Sequence, residues 1–167
     1  MGFAENYLAT HDRIALVTLQ IGGVDFNRFV SQCQLNPDCI LAGLPGFEAA
    51  LAANADIILS RIRGAGYAGQ LIVGQYPATN YASPLAQVLA HIYQALLPVV
   101  SAHDAEMAPV FERFQTATEP YGGDSCAADL LITNPDGSCN VHPTDAGHRL
   151  IASIMAEMVT LSTSGTH

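Results

Sequence analysis

The stretch Asn140-Val141-His142-Pro143-Thr144-Asp145-Ala146-Gly147-His148 sets His142 in a loop immediately ahead of an apolar helix. Histidine titrates near neutrality and serves as general base, metal ligand or satisfied polar group, so a loop-borne His142 is a candidate general base. The helix behind it is readily argued. Pro143 has no N–H to leave unpaired, Thr144 supplies a capping hydroxyl, and Leu150, Ile151, Ile154, Met155, Met158 and Val159 recur at helical spacing. A second segment, Leu16-Val17-Thr18-Leu19-Gln20-Ile21-Gly22-Gly23-Val24-Asp25-Phe26, is an apolar run rich in β-branched residues that stops at two glycines and an acid. That pattern predicts a buried strand ending in a tight turn. In open parallel sheets, ligands bind at the carboxyl ends of strands.

The elements that must position these residues follow from periodicity. A short amphipathic helix over about Phe3 to Thr10 feeds a strand from Ile14 to Ile21. From Pro45 to Arg63, Phe47, Leu51, Ile58 and Ile62 share a helical face, and Gly64-Ala65-Gly66 ends the helix. Gln70 to Gln75 predicts a second buried strand closed by Tyr76-Pro77. A long helical pattern runs from Pro84 to about Val100, with Pro98 near its end, and Pro109-Val110-Phe111 suggests a third short strand. Such alternation argues for an α/β protein, a parallel sheet with helices on both faces joined by right-handed crossovers. No internal repeat or low-complexity segment interrupts it.

Composition narrows the function classes. The 167 residues fit one domain spanning 1–167, and 50% apolar content supplies a sizeable core. A formal charge of −9 with six Lys plus Arg disfavours nucleic acid as a partner, because basic residues dominate affinity for its backbone. Polar groups such as Asp56, Arg61 and Arg63 are expected to interrupt every apolar run short of the roughly 18 to 20 residues a membrane span requires. Met1 to Asn6 lacks the basic and apolar regions of a signal peptide. Cys33 and Cys39 flank Asn36-Pro37, while Cys126 and Cys139 bracket a loop rich in Gly, Asp and Pro. Three pairings are open to four cysteines; 33 with 39 and 126 with 139 is the favoured one, against four unpaired thiols. Disulfides imply an oxidising compartment, hence an extracellular or secreted setting.

The two segments together resemble the SGNH, or GDSL-like, serine ester hydrolases. Gly22-Gly23-Val24-Asp25-Phe26 is similar to that family's third block, Gly-x-Asn-Asp, and Cys139-Asn140-Val141-His142-Pro143 to its fifth, Asp-x-x-His-Pro. The resemblance implies a three-layer α/β/α, flavodoxin-like sheet reduced to about three strands, with the strand-helix portion carrying the first and second blocks expected upstream of Met1. It also implies an unpaired sheet edge and hence self-association into a homo-oligomer. By the same resemblance His142 is the general base, Gly22 and Gly23 form the oxyanion turn, and Asp25 hydrogen-bonds the turn's amides. Two positions depart from the pattern. Val24 stands where an Asn side chain helps hold the oxyanion, and Cys139 where an Asp orients the imidazole, leaving Asp136 as substitute only if its loop folds over.

Gly123-Asp124-Ser125 repeats the letters of the family's nucleophile block, yet follows Tyr121-Gly122 rather than a strand. Chance explains such a match, and a Cys126–Cys139 disulfide draws Ser125 toward His142, so Ser125 stands as the testable nucleophile. Ser83, Ser101 and Ser138 have no supporting pattern. His142, His148 and Asp145 form a metal-site alternative without compact ligand spacing. His103-Asp104 reads as a solvated turn and His91 as a structural histidine. The expectation is therefore an ester hydrolase needing no cofactor, acting on a small-molecule, carbohydrate or lipid ester of acyl or acetyl type. Its counterpart is an inactive binding or assembly module that keeps the fold.

Overall fold

Apolar runs of two periods alternate along this chain, and strands alternate with helices accordingly. The computed structural model describes residues 2–160. Its elements are α1 (Gly2–Thr10), β1 (Leu16–Leu19), α2 (Gly23–Gln32), α3 (Pro37–Gly64), β2 (Gln70–Gly74), α4 (Pro84–Ala102), β3 (Ala105–Ala108), α5 (Val110–Thr118), a 3-10 turn (Glu119–Tyr121), β4 (Leu131–Thr133), β5 (Cys139–Pro143) and α6 (Asp145–Met158). The first three strands form a parallel sheet in the order β1-β2-β3, with Leu16 opposite Gln70 and Leu71 opposite Ala105.

Successive side chains on a strand point to opposite faces, and β2 shows the consequence. Leu71 and Val73 join Leu59, Ile62 and Val100 of α3 and α4 on one face. Ile72, between them, joins Phe114 of α5 and Ile154 of α6 on the other. The protein is therefore a reduced three-layer α/β/α structure, as its alternation predicts. Arg63, near the end of α3, fastens one edge by donating to the carbonyls of Tyr67, Gly69, His103 and Asp104 at 2.7 to 3.0 Å. Both favoured disulfides form, Cys33–Cys39 and Cys126–Cys139.

Four expectations are corrected. The helix expected from Pro45 begins at Pro37, because the Asn36 side chain caps it by accepting from the N–H groups of Asp38 and Cys39; Pro45 lies inside it and has no backbone N–H to donate. Pro109-Val110-Phe111 is not a strand. Residues 105–108 form β3, and Val110, Phe111, Phe114 and Thr118 are the buried stripe of a helix. The segment carrying His142 is not a loop but β5, which pairs antiparallel with β4. Finally, one apolar stretch does reach membrane-spanning length, since α4 has 19 residues with a mean hydropathy of 1.4. Here α4 packs Leu89, Ile92, Leu96 and Val100 into the core.

Candidate active site

The glycine turn after β1 is built by two separate steric demands. Gly22 adopts φ +94°, the left-handed region that favours glycine. At Gly23 a Cβ would come within 2.8 Å of the Tyr76 ring, which would have to move aside for any larger residue. Rather than closing a turn, these residues open α2: the Phe26 N–H donates to the Gly22 carbonyl at 2.9 Å as its first helical bond. The N–H groups of Gly23, Val24 and Asp25 precede that bond and face out of the helix end, where the helix dipole is positive. No side chain among the described residues caps them. Asp25 is exposed in the first turn and makes none of the expected side-chain bonds to the turn amides among the described residues.

Tyr76 to Tyr81 make the facing wall. The Tyr93 hydroxyl donates to the Tyr76 carbonyl and accepts from its N–H, both at 2.9 Å, and the Tyr81 hydroxyl accepts from the Ala78 N–H. Burial pushes both phenols well above the ordinary tyrosine range. Between this wall and the start of α2 lies a cavity of about 750 Å³. Its floor is apolar, including Phe26, Val30, Leu85, Leu89, Ile92 and Leu96, and no Asp, Glu, Lys or Arg side chain lines it among the described residues. Gly22, Gly23 and Val24 line one part of it, and Val141, His142 and Pro143 another.

His142 reaches this cavity from a hairpin whose turn is chemically explicit. In Asn134-Pro135-Asp136-Gly137 the Gly137 N–H donates to the Asn134 carbonyl at 2.9 Å, with Gly137 at φ +83°. The Asn134 N–H returns to the Ser138 carbonyl at 2.8 Å. The His142 Nδ1 lies 2.6 Å from the Asn140 side-chain oxygen, and its backbone N–H donates to that same oxygen at 3.1 Å. His142 is exposed, and its Nε2 makes no hydrogen bond among the described residues. Behind it, Thr144 caps α6 by accepting from the Gly147 N–H at 3.1 Å.

The other predicted site residues are placed differently. Ser125 is fully buried, its hydroxyl donates to the Ala78 carbonyl at 2.6 Å, and it does not line the cavity. Its N–H donates to Thr79 and its carbonyl accepts from Leu130 and Leu131, so Gly123-Asp124-Ser125 is a structural clasp. The structure does not bring Ser125 and His142 to one surface: Ser125 is buried with its hydroxyl proton given to Ala78, while His142 is exposed. Asp136 does not fold over onto His142. Its carboxylate accepts from the N–H and hydroxyl of Ser138, chiefly the latter, which holds it below the usual carboxylate range. The group on the imidazole is Asn140, which sequence reasoning missed. The signal was present: Asn-Pro-Asp-Gly between Leu131-Ile132-Thr133 and Asn140-Val141-His142 marks a hairpin, and in a strand Asn140 and His142 share a face. His142, His148 and Asp145 form no metal cluster among the described residues. His103 pairs with Asp56 at 2.7 Å rather than standing free, and exposed His91 pairs with Glu48 at 2.6 Å.

A parallel sheet between helical layers, a glycine turn at a strand's carboxyl end and a histidine ahead of the last helix together define the fold of the GDSL-like, or SGNH, lipolytic proteins. The chain has that fold. It superimposes on a member of the lipolytic protein G-D-S-L family from Veillonella parvula with a TM-score of 0.57 at 16% identity, over 96% of this chain and 72% of the other. It also superimposes on phospholipase A1 from Streptomyces albidoflavus, with a TM-score of 0.59 at 20% identity, over 93% of this chain and 76% of that enzyme. A carbohydrate esterase family 3 protein from Talaromyces cellulolyticus gives a TM-score of 0.50 at 20% identity, over 93% and 63% of the two chains. No family model matches the sequence, and no curated protein matches it.

Proposed function

We propose that this chain is an ester hydrolase in which His142 is the general base and water is the attacking nucleophile. The observation that carries the reading is that exposed His142 and the uncapped start of α2 line one apolar cavity. In the proposed step, His142 Nε2 takes a proton from water as its oxygen bonds to the ester carbonyl carbon. The carbonyl electron pair moves onto oxygen, which the N–H groups of Gly23 and Val24 stabilise. Collapse of the adduct breaks the bond to the alcohol oxygen, which receives the proton from His142. A carboxylic acid and an alcohol result. The GDSL-like lipolytic neighbours support ester chemistry for the fold.

The apolar lining favours an acyl group over a sugar as the part of the ester that enters, since each buried methylene contributes about 0.8 kcal/mol. Two disulfides fit an extracellular setting. A second reading, an inactive binding module, draws support from Val24, which offers no side-chain donor, and from the burial of Ser125. Hydrolysis of p-nitrophenyl esters of two to eight carbons separates the readings. Turnover is expected to rise with acyl length and to fall about 10²- to 10⁴-fold in His142→Ala, with no fluorophosphonate adduct on Ser125. Absence of ester hydrolysis leaves the binding module, and hydrolysis indifferent to His142→Ala overturns His142 as the general base.

A further inference from the structure

We infer that Asn140 is the positioning residue of His142, holding the imidazole in the tautomer protonated at Nδ1 and thereby presenting a bare Nε2. An amide can face an imidazole with its oxygen or its nitrogen, and the two faces select opposite tautomers. Here two further bonds decide which. The His142 backbone N–H donates at 3.1 Å to the same Asn140 atom that meets Nδ1, so that atom is an acceptor. The other end of the amide, Nδ2, donates to the Asn134 side-chain oxygen at 2.9 Å. An acceptor 2.6 Å from Nδ1 requires the proton to sit on Nδ1.

Asn140 is itself held. The Asn134 amide donates onward to the Ser138 hydroxyl at 2.9 Å, and that hydroxyl donates to Asp136 at 2.6 Å. Each donor in the series points away from His142 and toward the carboxylate, so every bond polarises the next in the same sense. Asp136 thus acts on the imidazole through three intervening side chains instead of touching it.

The catalytic consequence rests on the reading of His142 as general base, whereas the tautomer does not. Long-range proton–nitrogen correlation spectra of the ¹⁵N-labelled full chain, at a pH where histidines are neutral, read the tautomer directly, with His142→Ala identifying the resonances. Wild type is expected to show protonated Nδ1 and bare Nε2. Asn140→Ala is expected to shift the major population to Nε2–H, and Asn140→Asp, which restores an acceptor, to keep the wild-type form. With p-nitrophenyl butyrate, Asn140→Ala is expected to lower kcat about tenfold or more at unchanged KM, a share of what a general base contributes, and Asn140→Asp to retain it. Protonated Nε2 in the wild type, or a tautomer unchanged in Asn140→Ala, overturns the inference. The expected tautomers without ester turnover by wild type support Asn140 as positioning residue and overturn the hydrolase reading instead.

Discussion

Ser125 and His142 belong to segments tied by one disulfide, Cys126–Cys139, and their surroundings are opposite. Around Ser125 the backbone is knitted on both sides: its hydroxyl and N–H serve the Ala78-Thr79 segment, and its carbonyl takes Leu130 and Leu131. His142 lines the cavity, its Nδ1 meets Asn140, and its Nε2 makes no hydrogen bond among the described residues. The difference shows how the fold treats two residue types of the same chemical reputation. A nucleophile or base needs a lone pair at an accessible place; His142 is exposed and its Nε2 makes no hydrogen bond among the described residues, whereas Ser125 is fully buried with its proton given to the Ala78 carbonyl. The two are nonetheless linked, because the Leu130 carbonyl accepts from the Thr144 N–H at 3.1 Å, so the clasp at Ser125 seats the helix that follows His142.

The largest effect on that linkage is expected at Gly147. A Cβ there would overlap the Leu130 carbonyl oxygen and lie 3.0 Å from Pro143 Cβ. The obstruction is backbone, which cannot swing aside as a side chain can. Gly147→Ala is expected to cost about 3 kcal/mol, at the upper end of overpacking, and about 6 to 12 °C in Tm by calorimetry. A variant as stable as wild type would mean that α6 is not seated on the Ser125 clasp. Ser125→Ala comes next. It leaves the buried Ala78 carbonyl without its donor, so about 1 to 3 kcal/mol of stability should be lost in urea titration. Ester turnover per folded molecule should stay unchanged. Loss of turnover at unchanged stability would reverse the comparison and make Ser125 the nucleophile.

How far the sequence discloses this arrangement depends on whether a residue's role is local. The helix after His142 is legible because Thr144 and the apolar stripe from Leu150 to Met158 carry their own cap and period. The buried strand at Leu71-Ile72-Val73 is legible for the same reason. The third strand is not: Ala105-Glu106-Met107-Ala108 has weak strand propensity, and it is strand because β2 offers a partner. At the site, Gly22 and Gly23 announce a special backbone, but the ring that a Cβ at Gly23 would meet belongs to Tyr76, more than fifty positions away. The burial of Ser125 depends equally on the distant Ala78. The Asn140 contact comes within reach of a period-two reading once the Asn-Pro-Asp-Gly turn is taken as a hairpin.

The smallest expected effect tests another part of the cavity that His142 lines, where the Tyr93 hydroxyl makes two hydrogen bonds against the single one of Ser125. It serves both the N–H and the carbonyl of Tyr76, and only 6% of the Tyr93 surface is exposed. Tyr93→Phe keeps the packing and removes both bonds, so a loss of about 1 to 2 kcal/mol is expected at neutral pH. Alkali then distinguishes this hydroxyl from one that merely fills space. In the folded protein burial raises the Tyr93 pKa, while the unfolded chain releases the proton near the ordinary value of 10.0. Above that pH the unfolded state binds fewer protons than the folded one. Stability is therefore complete below about pH 10 and falls as pH rises, by about 1.4 kcal/mol per pH unit for this group. Tyr93→Phe should lose that part of the slope in urea titrations at pH 8, 10 and 11. The wild-type and variant curves then converge at high pH. Parallel curves would mean that Tyr93 ionises freely in the folded protein, and that this part of the cavity is as open as His142 itself.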